Sequence, residues 1–248
     1  MNFMRTKKIY ALIYAALVLG LAAVVFYSGY QLWLIQADYR QEGAMHDAVM
    51  KYRPEETPRP GPNMEAVIIN QNVVDLQAQY PDAVGWLAVP NTKIDYPFVQ
   101  GGDNDYYLHR DINGDYALAG TIFIDYRCVG DFTSQNIILY GHHMKNGSMF
   151  GTLKAFAQKS FFDKNTHGVI YLPYCTLTLE FFAYMVINPD TEKELYKVIL
   201  SDTYFDYVKR NARHYRDIGL AQGDRIVTLS TCAYEFDNAR MMLLAKVS

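Results

Sequence analysis

The sequence predicts a mainly β fold, an all-β barrel or sandwich with inserted helices. Beyond Asp82, short runs rich in β-branched and aromatic residues alternate with turn residues. In the longest run, residues 177–187, the side chains alternate between two faces, which is the period of two that a strand requires. The number of such runs, eight, is sufficient to close a small barrel filled by its own side chains, which would leave no exposed sheet edge.

Strands and helices can be assigned along this region in order. The predicted strands are residues 85–89, 94–99, 120–125, 137–141, 169–172, 177–187, 225–232 and 240–247. A helix is predicted from Asn63, a candidate N-cap, to about residue 79, and a short one over 148–157. Another helix, capped by Asp202, places Tyr204, Val208, Asn211 and Tyr215 on one face, just before the last two strands.

The N-terminal segment differs from the rest of the chain. Residues 1–8 form a basic tail, and residues 9–35 are apolar and long enough to cross a hydrocarbon core of about 30 Å. The length of the run, and the lack of an Ala-x-Ala-like site after it, favour an uncleaved anchor over a cleaved secretory signal. Because positive charge precedes the segment, we expect the N-terminus in the cytoplasm and the remaining chain outside the cell.

Two further regions follow the predicted transmembrane anchor. Residues 36–62 are predicted to be a juxtamembrane helix and a Pro-rich linker, with four prolines between residues 53 and 62. Residues 63–248 are predicted to form one extracellular domain. The formal net charge of −3 gives no indication of nucleic-acid binding.

The three cysteines, Cys128, Cys175 and Cys232, are too few and too scattered for a disulfide framework or a zinc site. Cys128 and Cys175 could pair with each other, but two separate small apolar side chains are the favoured interpretation. No metal site and no cofactor are predicted, since the sequence also lacks a compact acidic cluster typical of calcium sites.

Three residues could carry covalent chemistry. Cys232 ends a predicted strand, His142 follows another strand directly after a glycine, and Arg240 opens the last strand. A thiol nucleophile, a proton carrier and a fixed cation are what acyl transfer through a thioester requires. His143 competes with His142, but successive side chains leave a strand on opposite faces, so only one can point at the thiol.

Each of the three residues also has a simpler interpretation. A single cysteine is more often a buried apolar residue, a histidine is usually only hydrogen-bonded, and Arg240 could pair with Glu235 or Asp237. Their combination favours the catalytic interpretation. Cys232 would lie at the mouth of a strand, where a thiol is accessible yet held by the sheet.

Six segments resemble class B sortases. They are YPDAVGWL at 80–87, IDYPFVQG at 94–101, DNDYYL at 103–108, GTIFIDYR at 120–127, YGHHM at 140–144 and TLSTC at 228–232. Each segment alone is weak evidence for this family. Together, in this order and with the predicted anchor in front of them, the six segments are highly specific for it. The resemblance covers nearly everything after the linker.

The resemblance implies a closed eight-stranded sortase-like β-barrel with N-terminal helices, in which His142, Cys232 and Arg240 are catalytic. It implies a membrane-anchored cysteine transpeptidase and endopeptidase. Such an enzyme cleaves the C-terminal sorting motif of secreted surface proteins through a thioacyl intermediate. It then joins them to the amine of a cell-wall peptide precursor. The spacing from Cys232 to Arg240 is shorter than in some members of the family.

Alternatives remain at this point: a sortase that polymerises pilins, an L,D-transpeptidase-like wall enzyme, or a non-catalytic membrane-tethered scaffold. Candidate substrate-binding residues are Ser230 and Thr231, which precede the thiol, and Tyr204 and Tyr207 on the helix before its strand. The two tyrosines could instead simply pack that helix on the barrel, and Thr231 could be a strand residue without a contact to substrate.

Overall fold

A computed structural model describes residues 2–55, 69–232 and 238–248 of the chain. It divides into two compact units, Met1–Ala44 and Met45–Ser248. Helix α1 runs from Asn2 to Met50; its residues up to Ala44 belong to the first unit, and those from Met45 onward belong to the second. By length and composition, this helix contains one stretch apolar enough to cross a membrane.

Within the described residues, nine strands form one mixed sheet. They are β1 (Ala83–Ala88), β2 (Asp95–Gln100), β3 (Ile122–Ile124), β4 (Asn136–Tyr140), β5 (His167–Leu172), β6 (Cys175–Ile187), β7 (His214–Tyr215), β8 (Ile226–Cys232) and β9 (Arg240–Val247). Eight of them follow the order β5-β1-β2-β3-β4-β8-β9-β6, and β6 also pairs with β5. The sheet therefore closes into an eight-stranded barrel, which confirms the predicted fold class.

Helices surround this barrel. Helix α2 spans Gln71–Gln79, α3 spans Lys159–Lys164 and α4 spans Tyr204–Asn211; short 3-10 helices cover Tyr106–His109, Gly151–Ala157 and Lys193–Tyr196. The predicted helix 63–79 is observed from Gln71 onward, and residues 56–68, with Asn63 and most of the Pro-rich linker, lie outside the described residues. The predicted helix 148–157 is a 3-10 helix that begins at Gly151.

Helix α4 is shorter than its sequence pattern predicts. It begins at Tyr204 after Thr203, which occupies the N-cap position instead of Asp202, and it ends at Asn211. Tyr215 is not helical, because His214 and Tyr215 pair with β6 as the two-residue strand β7. Sheet hydrogen bonds thus replace the last predicted turn of helix.

The predicted alternation along β6 holds for only part of the strand. The pairing of β6 with β9 shifts between Phe181 and Ala183, which is the signature of a β-bulge. In addition, five successive β6 residues, Phe181 to Met185, are all buried, and two of them, Phe182 and Ala183, pack in one apolar cluster with Leu195 and Val208. Burial on both faces removes the polar positions that strict alternation would leave in solvent.

The strand order determines which strand ends lie together. Strand β4 is parallel to β8, and β8 is antiparallel to β9. The C-terminal ends of β4 and β8 and the N-terminal end of β9 therefore lie at one edge of the barrel.

Candidate active site

Cys232 and Arg240 occupy adjacent strands at this edge. Cys232 is the last residue of β8 and Arg240 is the first of β9, and their backbones pair directly. Cys232 is placed here by its backbone. Residues 233–237, with the possible Arg240 partners Glu235 and Asp237, lie outside the described residues.

His142 lies just beyond the end of β4. In the parallel ladder Tyr140 is paired with Ser230, and the Gly141 N–H donates to the carbonyl oxygen of Ser230 over 3.2 Å. His142 follows Tyr140 by two positions, and Cys232 follows Ser230 by two positions. The ladder therefore brings the backbones of the three predicted catalytic residues to the ends of three neighbouring strands.

The imidazole of His142 makes one described hydrogen bond. Its Nε2 lies 2.7 Å from the carbonyl oxygen of Leu108. A carbonyl oxygen can only accept, so this contact assigns a hydrogen to Nε2 and leaves Nδ1 as the ring nitrogen that can gain or lose a proton. Leu108 belongs to the 3-10 helix Tyr106–His109.

A second imidazole stacks on this one. The ring centroids of His109 and His142 are 5.3 Å apart, with 26° between their planes. Burial lowers the pKa of His142; the bond to Leu108 acts in the opposite direction, and a positive charge on His109 lowers it further, so that the net shift is downward. At neutral pH His142 is therefore mostly uncharged, and its protonated form is a stronger acid than free imidazolium.

Gly120 makes room for the carbonyl group that orients His142. Its φ of +60° lies in the left-handed region, and a side-chain Cβ there would overlap the carbonyl oxygen of Leu108 and lie 2.6 Å from that of Tyr107. Only glycine fits this position without displacing the backbone that holds His142.

Arg240 is anchored by the turn that precedes it. Its Nη1 donates to the carbonyl oxygens of Asn238 at 3.2 Å and Ala239 at 3.1 Å. The guanidinium carries further N–H donors in a rigid planar arrangement, which suits a carbonyl oxygen that becomes negative during attack. The side chain is half-buried.

The two predicted substrate-binding residues on β8 are both buried. Ser230 is 1% exposed, and its Oγ lies 3.0 Å from the hydroxyl of Tyr196. Thr231 is 3% exposed, and its Oγ1 makes no hydrogen bond within the described part of the chain. A buried hydroxyl without a partner next to Cys232 could accept or donate one bond to a bound peptide.

Tyr204 and Tyr207 lie on α4. Tyr204 is buried in the apolar cluster between α4 and β6, and the Tyr207 hydroxyl donates to Glu192 Oε1 over 2.7 Å. Both contacts fit the alternative interpretation, in which the tyrosines pack the helix on the barrel. A role for them in substrate binding remains a prediction.

A charged group close to the site was not predicted from the sequence. Asp125, at the end of β3, is fully buried and accepts hydrogen bonds from Arg127 and Tyr140. Burial alone would raise the pKa of this carboxyl, but the bonds from Arg127 and Tyr140 outweigh that effect and lower it. The segment GTIFIDYR contains both charged residues and was the available signal.

The other two cysteines are free thiols. Cys128 is buried and its Sγ lies 3.4 Å from the carbonyl oxygen of Asn136, whereas Cys175 is exposed at the start of β6. In the described ranges, no group of three or more His, Cys, Asp or Glu side chains has the arrangement of a metal site.

Most of this chain is similar to known proteins. The Sortase domain family matches residues 87–248. Sortase B of Listeria monocytogenes is 35% identical over 184 residues, which cover 72% of this chain and 75% of that protein.

Solved structures give the same result. The crystal structure of Clostridium perfringens sortase B is similar with a TM-score of 0.67 and 35% identity, covering 71% of this chain and 98% of that one. A Streptococcus pyogenes class B sortase described as involved in pilus biogenesis is similar with a TM-score of 0.66 and 32% identity, covering 71% and 97%.

Proposed function

We propose that this chain, which belongs to class B of the sortase family of cysteine transpeptidases, cleaves a sorting motif near the C-terminus of secreted surface proteins. It then transfers them to the amine of a cell-wall peptide precursor. One observation above all supports assigning this reaction to Cys232, His142 and Arg240. The backbone pair Cys232 and Arg240 lies beside the strand end that carries His142.

The first half of the proposed reaction is an acyl transfer to sulfur. The Cys232 thiolate attacks the carbonyl carbon before the scissile bond, and Arg240 donates to the carbonyl oxygen as it becomes negative. The C–N bond then breaks, a thioester remains on Cys232, and protonated His142 gives its proton to the departing amine.

The second half reverses these roles. The incoming amine attacks the thioester, His142 accepts a proton from it, and the sulfur leaves as a thiolate. Ser230 and Thr231 are proposed to contact the peptide next to the thiol. The product is a surface protein joined by an amide bond to the wall precursor.

Protonation limits the active fraction. A thiol with the ordinary pKa of about 8.5 is only a few per cent ionised at neutral pH. Burial and His109 keep His142 mostly neutral at the same pH. A thiolate paired with an imidazolium is therefore a minor state of the resting enzyme, and slow turnover is expected unless bound substrate stabilises that state.

The proposed location is the cell membrane. Residues 1–8 are assigned to the cytoplasm, 9–35 to the membrane, 36–62 to the juxtamembrane helix and linker, and 63–248 to an extracellular catalytic domain. The apolar part of α1 supports the anchor, and the basic residues before it support the orientation.

Quenched fluorescent peptides test this function. The detergent-solubilised full chain is incubated with a panel carrying Leu-Pro-x-Thr-Gly, Asn-Pro-x-Thr and related motifs. We expect cleavage of one motif, its complete loss in Cys232→Ala and its retention in Cys175→Ala, which removes the exposed thiol of β6. Cleavage that survives Cys232→Ala would contradict the proposal.

Pilin polymerisation is the second candidate, because one similar structure is a class B sortase described as involved in pilus biogenesis. Family membership favours either sortase reaction over the L,D-transpeptidase-like and scaffold alternatives. The acceptor separates the two sortase reactions. A peptide with the amino group of a wall precursor and a peptide with a pilin-type lysine are offered to the thioacyl enzyme, and the preferred product identifies the reaction.

A further inference from the structure

Asp125 joins separate segments of the chain. Its backbone lies beside Ile138 in the middle of β4, and its side chain is linked to the site through the Tyr140 hydroxyl. Its side chain is 0% exposed. Its Oδ2 lies 3.0 Å from the Tyr140 hydroxyl, 3.2 Å from Asn104 Nδ2 and 2.7 Å from Arg127 Nη2. The carboxylate thus connects the ends of β3 and β4 with the loop after β2.

The Asp125 carboxylate is buried, whereas the side chain of its partner Arg127 is 44% exposed. Removing a carboxylate from water costs several kcal/mol, and the attraction to one arginine often only offsets that cost. Here Arg127 donates to both carboxylate oxygens, and the pKa of Asp125 is held below its usual range despite burial. The Asp125 carboxylate therefore stays charged, yet its ion pair with Arg127 is weak evidence that Asp125 contributes to folding stability. A role of Asp125 in the geometry of the site explains its position better.

Arg127 extends the connection to the segment before α4. Its Nη2 also donates to the carbonyl oxygen of Tyr196 over 3.0 Å, and the Tyr196 ring stacks on Tyr140 with centroids 6.2 Å apart and 17° between planes. The Tyr196 hydroxyl in turn lies 3.0 Å from Ser230 Oγ. Asp125 and Arg127 therefore hold both stacked tyrosines, one by its hydroxyl and the other by its backbone.

Both tyrosines are connected to the same register pair of the β4–β8 ladder: Tyr140 is one member of it, and Tyr196 is hydrogen-bonded to the other. Tyr140 and Ser230 are a register pair, two positions before His142 and Cys232 respectively. The network fixes this pair from the β4 side through Asp125 and from the β8 side through Tyr196. Movement of either strand end would change the separation of the general acid from the nucleophile.

We propose that Asp125 and Arg127 are positioning residues of the transpeptidation reaction. They touch neither substrate nor the reacting atoms, and they set the placement of His142 relative to Cys232 through Tyr140 and Ser230. This inference rests on the proposed catalytic roles of His142 and Cys232.

The test compares two ion pairs, of which only Asp125–Arg127 is linked to the site through Tyr140 and Tyr196. Asp224 is bonded to Lys246 over 2.8 Å near the start of β8, far along that strand from Cys232. In the full chain, Asp125→Asn is expected to lower kcat about 10- to 100-fold with KM changed less than threefold, the effect of displaced catalytic groups. Asp224→Asn is expected to leave both constants within about twofold.

The single variant Tyr140→Phe covers the case in which Asp125→Asn is poorly folded, and a double-mutant cycle with Asp125→Asn tests whether the two side chains act together. Tyr140→Phe removes only the hydroxyl bond to Asp125 and keeps the stacked ring. We expect it to lower kcat about tenfold at an unchanged melting temperature, and we expect the double variant to be no slower than Asp125→Asn. Arg127→Lys, which keeps the charge but loses the planar fork, should also lower kcat.

The outcomes distinguish this inference from the proposed function. If Tyr140→Phe retains wild-type kcat, or if Asp125→Asn lowers kcat no more than Asp224→Asn, the positioning role is wrong while the transpeptidase assignment stands. If Cys232→Ala remains active in the same assay, the proposed function itself fails.

Discussion

Cys232 and Arg240 are directly paired residues of the antiparallel strands β8 and β9. Their short separation in sequence follows because they form the pair of the β8–β9 ladder that lies next to the connecting turn. Because side chains alternate along a strand, a slip of one residue would move the Arg240 side chain to the opposite face of the sheet. The register, more than the connecting turn, decides on which face of the sheet the Arg240 side chain lies.

Arg240→Lys is expected to lower kcat/KM about 100-fold or more, close to the effect of Arg240→Ala. A lysine keeps the positive charge but loses the planar donor arrangement aimed at the developing oxyanion. Arg210→Lys on α4, where the arginine Nε donates to the Asp206 carbonyl oxygen, is the matched control and should stay within about twofold. Full activity of Arg240→Lys would show that charge alone is required.

His109→Phe is expected to move the acid limb of the kcat/KM profile to higher pH. This limb reports the loss of a proton from His142 when the thiol has the higher pKa. In wild type its midpoint should lie below the ordinary histidine pKa of about 6.5. Since a charged His109 lowers the pKa of His142, its removal raises that pKa, while phenylalanine preserves the stacking.

The measurement is kcat/KM between pH 4 and 9 for wild type, His109→Phe and the exposed control His167→Phe on β5. The control should leave the limb in place. A limb that stays fixed in His109→Phe, or moves to lower pH, would contradict the electrostatic role given to His109.

Gly120→Ala is expected to reduce both stability and activity. A left-handed non-glycine residue costs about 1–2 kcal/mol, and overlap with the Leu108 carbonyl adds about 1–3 kcal/mol. Displacement of that carbonyl also releases His142, so kcat/KM should fall about tenfold or more.

Gly219→Ala is the matched control for that substitution. Its φ is +68°, yet no atom lies within 4 Å of the added Cβ, so only the backbone cost remains. Chemical denaturation and peptide cleavage are measured for both variants. Equal losses in the two would show that the contact between Gly120 and Leu108 has no specific role.

The anchor assignment predicts that the full chain stays with the membrane after alkaline carbonate extraction, and that deletion of residues 1–35 releases it. Added protease should digest the outer domain in intact cells whose wall has been removed, while an epitope on residues 1–8 remains protected. Protection of the outer domain instead would reverse the proposed orientation.

Much of the barrel could be predicted from local sequence patterns. The eight predicted strands agree with the observed ones to within about two residues, because alternation and turn residues mark where pairing begins and ends. The deviations are tertiary. The bulge at Phe181 and the two-residue strand β7 depend on partners distant in sequence, and no local pattern encodes them.

The candidate site shows the same division. Strand-end positions for Cys232, His142 and Arg240 were predicted, because a residue that ends an apolar run can be recognised locally. The links through Leu108, His109 and Asp125 were not, since each joins the site to a loop far away in the chain. Polar contacts between distant segments become visible only when the barrel closes.

The most direct test of the account is the intact mass of the enzyme during turnover. The full chain is incubated, without an acceptor amine, with the intact sorting peptide that it cleaves in the fluorescence assay. It should then gain the mass of the N-terminal fragment of that peptide. Hydroxylamine should remove that mass, and peptide mapping should place it on Cys232. A turning-over enzyme without such an adduct, or with the adduct on Cys128 or Cys175, would contradict the thioacyl mechanism.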